Sequence, residues 1–214
     1  MPFEMRRGNL TDNLPLALAS PLFRAKQAAK LLVPSRSGSS LSDIHGALEH
    51  QPLLFQSAGR SGTTLLRSML VAGGDIAIPP ESYILCWSAL KFHANRRMPW
   101  PDQCMTILEL FDQSPVFHLW DFDVLGLRHE AFALPPERQT LACLLDLIYR
   151  SYGERHFPEA TRWGDQSIEN TLQIQWLVMV FPHAKYLHVL RDGRDVASSW
   201  VKQGRPVDNA VDMW

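Results

Sequence analysis

An apolar run that passes through a glycine-containing turn into a helical pattern, at residues 52–72, limits the folds open to this chain more than any other segment does. Leu54 and Phe55 end the apolar run, and "TTLLRSML" reads as the first turns of a helix. A strand that feeds a helix in this way presents unpaired backbone N–H groups at the positive end of the helix dipole. Phosphate and sulfate oxygens are natural ligands there. The segment therefore predicts an anion site; the alternative is an ordinary turn with a serine or threonine cap.

The turn itself carries the residue types that an anion site uses. Gly62 permits close backbone approach, Thr63 and Thr64 add hydroxyl donors, and Arg60 supplies a planar, charged fork. The turn departs from the nucleoside-triphosphate loop G-x-x-x-x-G-K-[ST], because Ser57 stands in place of its first glycine and Thr63 in place of its lysine. An ATP-dependent small-molecule kinase is therefore the weaker interpretation.

Strand patterns alternate with helical patterns along the rest of the chain. Apolar runs predict strands at residues 52–55, 75–80, 161–165 and 184–191. Helical patterns cover residues 62–72, 82–95, 103–112, 137–152, 168–181 and 193–202. This alternation predicts an α/β fold with a mostly parallel central sheet.

A second strand-to-helix turn lies in "YLHVLRDGRDVASSW", residues 186–200. Arg191 ends the predicted strand, and Ser199 lies about two helical turns beyond it. Alone, "RDGRD" is typical of a solvated turn with local ion pairs. Together with the first turn in one α/β sheet, it predicts a second phosphate contact.

Composition excludes several other classes of site. The formal net charge of −1 gives no electrostatic footprint for nucleic acid. Cys86, Cys104 and Cys143 form neither a disulfide pattern nor a zinc motif, and the eight histidines show no metal-binding spacing. We therefore expect no metal and a reducing, cytoplasmic compartment.

The chain divides by composition near residue 41. Residues 1–41 are predicted to form an amino-terminal arm that ends in the polar joint "PSRSGSS", and residues 42–214 the folded domain. The apolar pieces of the arm are broken by prolines and by basic residues, so no segment reaches the ~20 apolar residues of a membrane span. No integral membrane segment is expected.

Four segments together resemble the sulfotransferase family, on the branch that includes bacterial sulfotransferase-domain proteins and the tyrosylprotein sulfotransferases. They are "GRSGTTLL", "AIPPESYIL", "WGDQS" and "VFPHAKYLHVLRDGRDVASSW". The resemblance runs from about Leu53 to the last residue. It implies a P-loop-like three-layer fold with a helical insertion on the acceptor side. It also implies 3′-phosphoadenosine 5′-phosphosulfate (PAPS) as the sulfuryl donor.

The resemblance assigns site residues by motif. The loop for the 5′-phosphosulfate matches Arg60, Ser61, Gly62, Thr63 and Thr64. The site for the 3′-phosphate matches Arg191 and Ser199. Arg60 is then the candidate for stabilising the charge that develops during sulfuryl transfer.

Glu81, in "IPPES", matches the catalytic glutamate of the tyrosylprotein branch and is the candidate general base. The alternative is that Glu81 only caps the helix predicted to begin near Ser82. A histidine base would be His93 or His118, although no spacing selects either.

Two departures from the family pattern affect activity. The family usually has lysine in place of Gln166, and that lysine helps stabilise the leaving group. Losing one such donor costs roughly 10²- to 10³-fold in rate. Relatives also continue beyond "VDNAVDMW", which predicts an incomplete carboxyl end whose unfinished sheet edge favours a homo-oligomer.

The predicted function is sulfuryl transfer from PAPS to a hydroxyl or amine of a small-molecule or peptide acceptor. The aromatic-rich region from about Trp87 to Leu134 resembles the variable wall of the acceptor pocket, and a helical subdomain with its own aromatic core is the alternative. The runner-up function is a catalytically silent PAPS-binding or nucleotide-binding module, which the glutamine at 166 and the short carboxyl end favour.

Overall fold

The computed structural model describes residues 40–42 and 48–204. Its strands are β1 (Leu53–Ser57), β2 (Ile76–Ala77), β3 (Arg162–Asp165) and β4 (Lys185–Val189). Its α-helices are α1 (Thr63–Ala72), α2 (Leu85–Ala94), α3 (Trp100–Asp112), α4 (Arg128–Phe132), α5 (Leu141–His156), α6 (Glu169–Leu172), α7 (Ile174–Val180) and α8 (Gly193–Val201). The predicted arm lies outside the described residues except for its last two positions.

The four described strands form one parallel sheet in the order β2-β3-β1-β4. Leu53 aligns with Gly164 on one side of β1, and Phe55 aligns with Leu187 on the other. A Cβ on Gly164 would lie 2.7 Å from the Leu53 carbonyl oxygen, so glycine allows these strands to approach. The predicted α/β fold with a parallel sheet is confirmed.

The core is aromatic where helix α5 meets β3. Tyr149 stacks on Trp163 with ring centroids 4.3 Å apart, and Trp163 meets Phe181 edge-on at 5.5 Å. Trp120 packs against Tyr149 at 5.1 Å. Such pairs add about 0.5–1.5 kcal/mol each beyond area burial. They hold α5 against the sheet strand that ends at Asp165.

Helices α2 to α5 all lie between β2 and β3 in the chain, as predicted for a helical insertion. Most aromatic side chains of this region are buried in its core: Phe92, Trp100, Phe111, Phe117 and Trp120. Three others are half-buried: Trp87, Phe122 and Phe132. Only these three remain candidates for a wall that an acceptor touches.

Several helices and strands begin or end at other residues than predicted, for local reasons. Strand β2 is only Ile76–Ala77, because Pro79 and Pro80 have no N–H for a ladder. The helix predicted over residues 82–95 begins at Leu85, after Tyr83 adopts a left-handed backbone with φ of 62°. The helix predicted over residues 168–181 is broken at Gln173, where φ is −125° and ψ is 26°.

Candidate active site

The loop between β1 and α1 has the backbone of an anion site. Gly62 is the N-cap of α1 with φ of 94°, and no side chain caps the helix. Arg60 also has a left-handed backbone, with φ of 69°. The N–H groups of the first turn, from Thr63 to Leu65, have no acceptor within the helix and lie at the positive end of its dipole. They are available to an anion.

Two arginines from distant parts of the chain meet at this loop. Arg60 Nε donates to Ser199 Oγ at 3.1 Å, and Arg191 Nη1 donates to the Arg60 carbonyl at 3.0 Å. Arg191 Nε also lies 3.8 Å from an Asp195 carboxylate oxygen. Ser57 aligns with Val189 at the carboxyl ends of the parallel strands β1 and β4. The residues that follow these two strands, Arg60 and Arg191 among them, therefore lie close together. The structure thus brings Arg60, Arg191 and Ser199 together.

The remaining predicted loop residues occupy different environments. The Ser61 and Thr63 residues are buried, whereas Thr64 is exposed on the first turn of α1. Gly59 lies against Trp200 of α8, because a Cβ at this position would lie 2.9 Å from Cζ2 of the indole. The indole is itself buried, so the backbone of the loop at Gly59 packs against a buried side chain.

The segment that carries Glu81 is held on both sides. Trp120 Nε1 donates to the Pro80 carbonyl at 2.9 Å. Ser114 Oγ donates to the Ser82 carbonyl at 3.1 Å, and Ser82 N donates to Ser167 Oγ at 3.3 Å. The carboxylate at 81 therefore sits on a segment with a defined backbone.

Glu81 is half-buried, and its electrostatic surroundings suit a base. Burial raises its pKa, a hydrogen bond with Tyr83 lowers it, the charge of Asp165 raises it and that of Arg60 lowers it. The influence of Arg60 ties Glu81 to the anion loop. The two histidine alternatives lie elsewhere: His93 packs beside Trp176 at 5.9 Å, and His118 Nδ1 lies 3.0 Å from the Pro115 carbonyl oxygen.

Asp165, at the end of β3, was not predicted as a site residue. It is 1% exposed and accepts hydrogen bonds from Tyr149 Oη (2.7 Å), Ser167 N (2.9 Å) and Asn170 Nδ2 (2.6 Å). A buried carboxylate needs such donors, because burial without them is costly. A carboxylate at the end of a strand beside β1 was the signal in "WGDQS" that would have pointed to it.

Glu169 interacts electrostatically with this carboxylate, and Gln166 follows it directly in the chain. Burial raises the pKa of Glu169 to about 8, a hydrogen bond from its own backbone lowers it, and the charges of Glu81 and Asp165 raise it. Gln166 is 4% exposed, and its Oε1 has no hydrogen-bond partner among the described residues. Glu169 was also missed, because nothing local in the sequence reveals its burial.

The described residues include no group of three or more histidine, cysteine, aspartate or glutamate side chains that could hold a metal ion. Cys86, Cys104 and Cys143 are all free and buried. None of the described helices is long and apolar enough to cross a membrane.

The sulfotransferase family model matches residues 52–209, which include all four strands and the whole of the candidate site. No curated protein and no solved structure matches the chain. Since the family model covers most of the 214 residues, the chain belongs to the sulfotransferase family.

Proposed function

We propose that this protein transfers a sulfuryl group from PAPS to a hydroxyl or amine of a small-molecule or peptide acceptor. The meeting of Arg60, Arg191 and Ser199 at the amino end of α1 is the observation that carries the proposal. It joins two positive charges to free N–H groups at one point, which suits a ligand with two separate anionic groups. A donor with a 5′-phosphosulfate and a 3′-phosphate has this character.

The loop residues would hold the donor at its two ends. Arg60 and the first-turn N–H groups of α1 would contact the phosphosulfate, and Arg191 and Ser199 the 3′-phosphate. PAPS supplies the sulfuryl group when bound. Arg60 would balance the negative charge that passes to the leaving phosphate.

Glu81 is the proposed base. The acceptor oxygen or nitrogen forms a bond to sulfur as the bond from sulfur to the bridging oxygen breaks, and the electron pair of that bond leaves with the nucleotide. The acceptor's proton goes to the Glu81 carboxylate. A half-buried carboxyl with a raised pKa is a stronger base than an exposed one.

A second candidate is a PAPS-binding module without turnover, and Gln166 favours it. This side chain is buried, follows Asp165 directly in the chain and lacks the charge of the usual lysine. Turnover of radiolabelled PAPS, with water or added acceptors, distinguishes the two.

Calorimetric titration with 3′-phosphoadenosine 5′-phosphate (PAP), AMP and ATP tests the donor site. We expect PAP to bind, AMP to bind far more weakly, and Arg191→Ala to lose the preference for the 3′-phosphate. Arg162→Ala is the matched control. Arg162 is the first residue of β3, so it lies at the amino ends of the strands, away from the loop, and its Nη2 lies 3.4 Å from an Asp75 carboxylate oxygen. Preference for ATP, or binding that Arg191→Ala leaves unchanged, would contradict the proposal.

A further inference from the structure

Helix α6 is hydrogen-bonded to the end of β1, the strand that leads into the loop containing Arg60 and Gly62. Thr171 Oγ1 accepts from Ser57 N at 2.7 Å and donates to the Ser57 carbonyl at 3.0 Å. Asn170 Nδ2 donates to Asp165 at 2.6 Å. These bonds hold α6, which begins with Glu169, against the ends of β1 and β3. It therefore lies at the same sheet edge as the proposed donor site.

Three oxygen atoms of residues 166–170 are buried without a hydrogen-bond partner among the described residues. They belong to Glu169 (Oε2), Asn170 (Oδ1) and Gln166 (Oε1). The Asn170 and Gln166 residues are at most 4% exposed, and the amide of Asn170 contacts the Asp165 carboxylate. Buried polar atoms normally have partners, so unpaired oxygens on the segment that follows Asp165 mark a place where a ligand or a proton is still to be supplied.

The charged and titratable groups around Glu169 are mostly acidic. Glu81 precedes α2, Asp165 ends β3 and Cys86 belongs to α2, and each interacts electrostatically with Glu169. Arg60 reaches Glu81 from the loop. The elements β1, α6 and α7 add no charged side chain besides Glu169 itself. Helix α2, which also packs against α6, carries Lys91, which is exposed, and His93, which packs beside Trp176. A third ionised carboxyl would therefore face two existing negative charges and the anionic donor.

We propose that Glu169 regulates the charge of the donor site: it must be protonated for an anionic nucleotide to bind, and it takes up a proton when the nucleotide binds above neutral pH. The inference depends on the proposed function. The step is Glu169–COO⁻ plus one H⁺ from solvent giving Glu169–COOH, with no other bond changed. By linkage, an anion that binds better to the protonated form also favours protonation to the same extent. Glu169 is therefore a positioning residue, acting through charge and not by touching the reacting atoms.

PAP affinity as a function of pH tests this proposal. With a Glu169 pKa of about 8, wild-type affinity should fall about tenfold from pH 7 to pH 9, because only the protonated form binds well. Glu169→Gln keeps a neutral side chain of the same shape, so its affinity should change by less than about twofold. Glu154→Gln, on the exposed side of α5, is the matched control and should retain the wild-type slope.

Proton uptake provides a test that needs no variant. Calorimetry of PAP binding to the wild type at pH 8.5, in two buffers of different ionisation enthalpy, should show uptake of at most about 0.8 proton, the fraction of Glu169 that is ionised at this pH before binding. No uptake, or the same pH dependence in wild type and Glu169→Gln, would overturn the inference while PAP binding itself still supported the donor site. Absence of PAP binding at every pH would overturn the proposed function and this inference with it.

Discussion

Replacing Asp165 by alanine removes the shared acceptor of three buried donors. Tyr149 Oη, Asn170 Nδ2 and Ser167 N all donate to its carboxylate at 2.6–2.9 Å. Asp165 and Asn170 are at most 1% exposed, so water has little access to the groups that would be left. The substitution therefore strands three donors and opens a small cavity.

The cost follows from these contacts. A hydrogen bond to a charged group contributes about 1.5–3 kcal/mol, and a buried donor left without a partner costs about 1–3 kcal/mol. The three donors are neutral, and partial relaxation makes their losses less than additive, which gives a total of about 3–5 kcal/mol. We expect that loss for Asp165→Ala, which is a large part of the ~5–15 kcal/mol that stabilises a typical domain.

Urea unfolding followed by tryptophan fluorescence measures this loss, because Trp163 stacks on Tyr149 within the same network. Glu154→Ala, at an exposed position of α5, is the control and should stay within about 0.5 kcal/mol of the wild type. Tyr149→Phe in the Asp165→Ala background should cost less than in the wild type, since its partner is already absent. A loss below about 1 kcal/mol for Asp165→Ala, with an unchanged m value, would show that these three hydrogen bonds contribute little to stability.

Three further predictions concern the loop and the carboxylate cluster. Gly59→Ala should lower the free energy of unfolding in urea by about 1–3 kcal/mol, because its Cβ would lie 2.9 Å from the Trp200 indole. The same contact should shift the fluorescence of Trp200. An unshifted spectrum would contradict this packing. Gln166→Lys should raise the rate of PAPS turnover roughly 10²- to 10³-fold, because it restores a charged donor. Gln166→Met, which has a side chain of similar length, should not raise the rate. Equal rates in the two variants would contradict a role for charge at this position. Burial raises the pKa of Glu169 from 4.5 to about 8, so the folded state holds an extra proton between these pH values. The free energy of unfolding should therefore fall by about 1.4 kcal/mol per pH unit in this range, and the slope should be flatter in Glu169→Gln. Equal slopes in the two proteins would contradict the raised pKa.

Much of the frame could be predicted from local patterns. The apolar run before Ser57 became a parallel strand that is mostly buried, because β3 and β4 flank it on both sides. The run before Arg191 also became a parallel strand, but none of its residues is fully buried, because β4 is the last strand of the described sheet and pairs with β1 alone. The boundaries were less accurate. Tyr83 and Gln173 interrupt predicted helices through their backbone conformations, which no apolar periodicity reveals.

The residue types of the loop between β1 and α1 can be interpreted without a structure, because glycine, hydroxyl and arginine residues between a strand and a helix act locally. The surroundings of that loop depend on the folded chain. The hydrogen bond from Arg60 to Ser199 depends on the register of β1 against β4, and the chain separation of these residues gives no indication of it. The electrostatic character of Glu169 likewise depends on burial and on charges that arrive from β3 and from the segment before α2. Such long-range effects arise only when the sheet brings the strand ends to one edge.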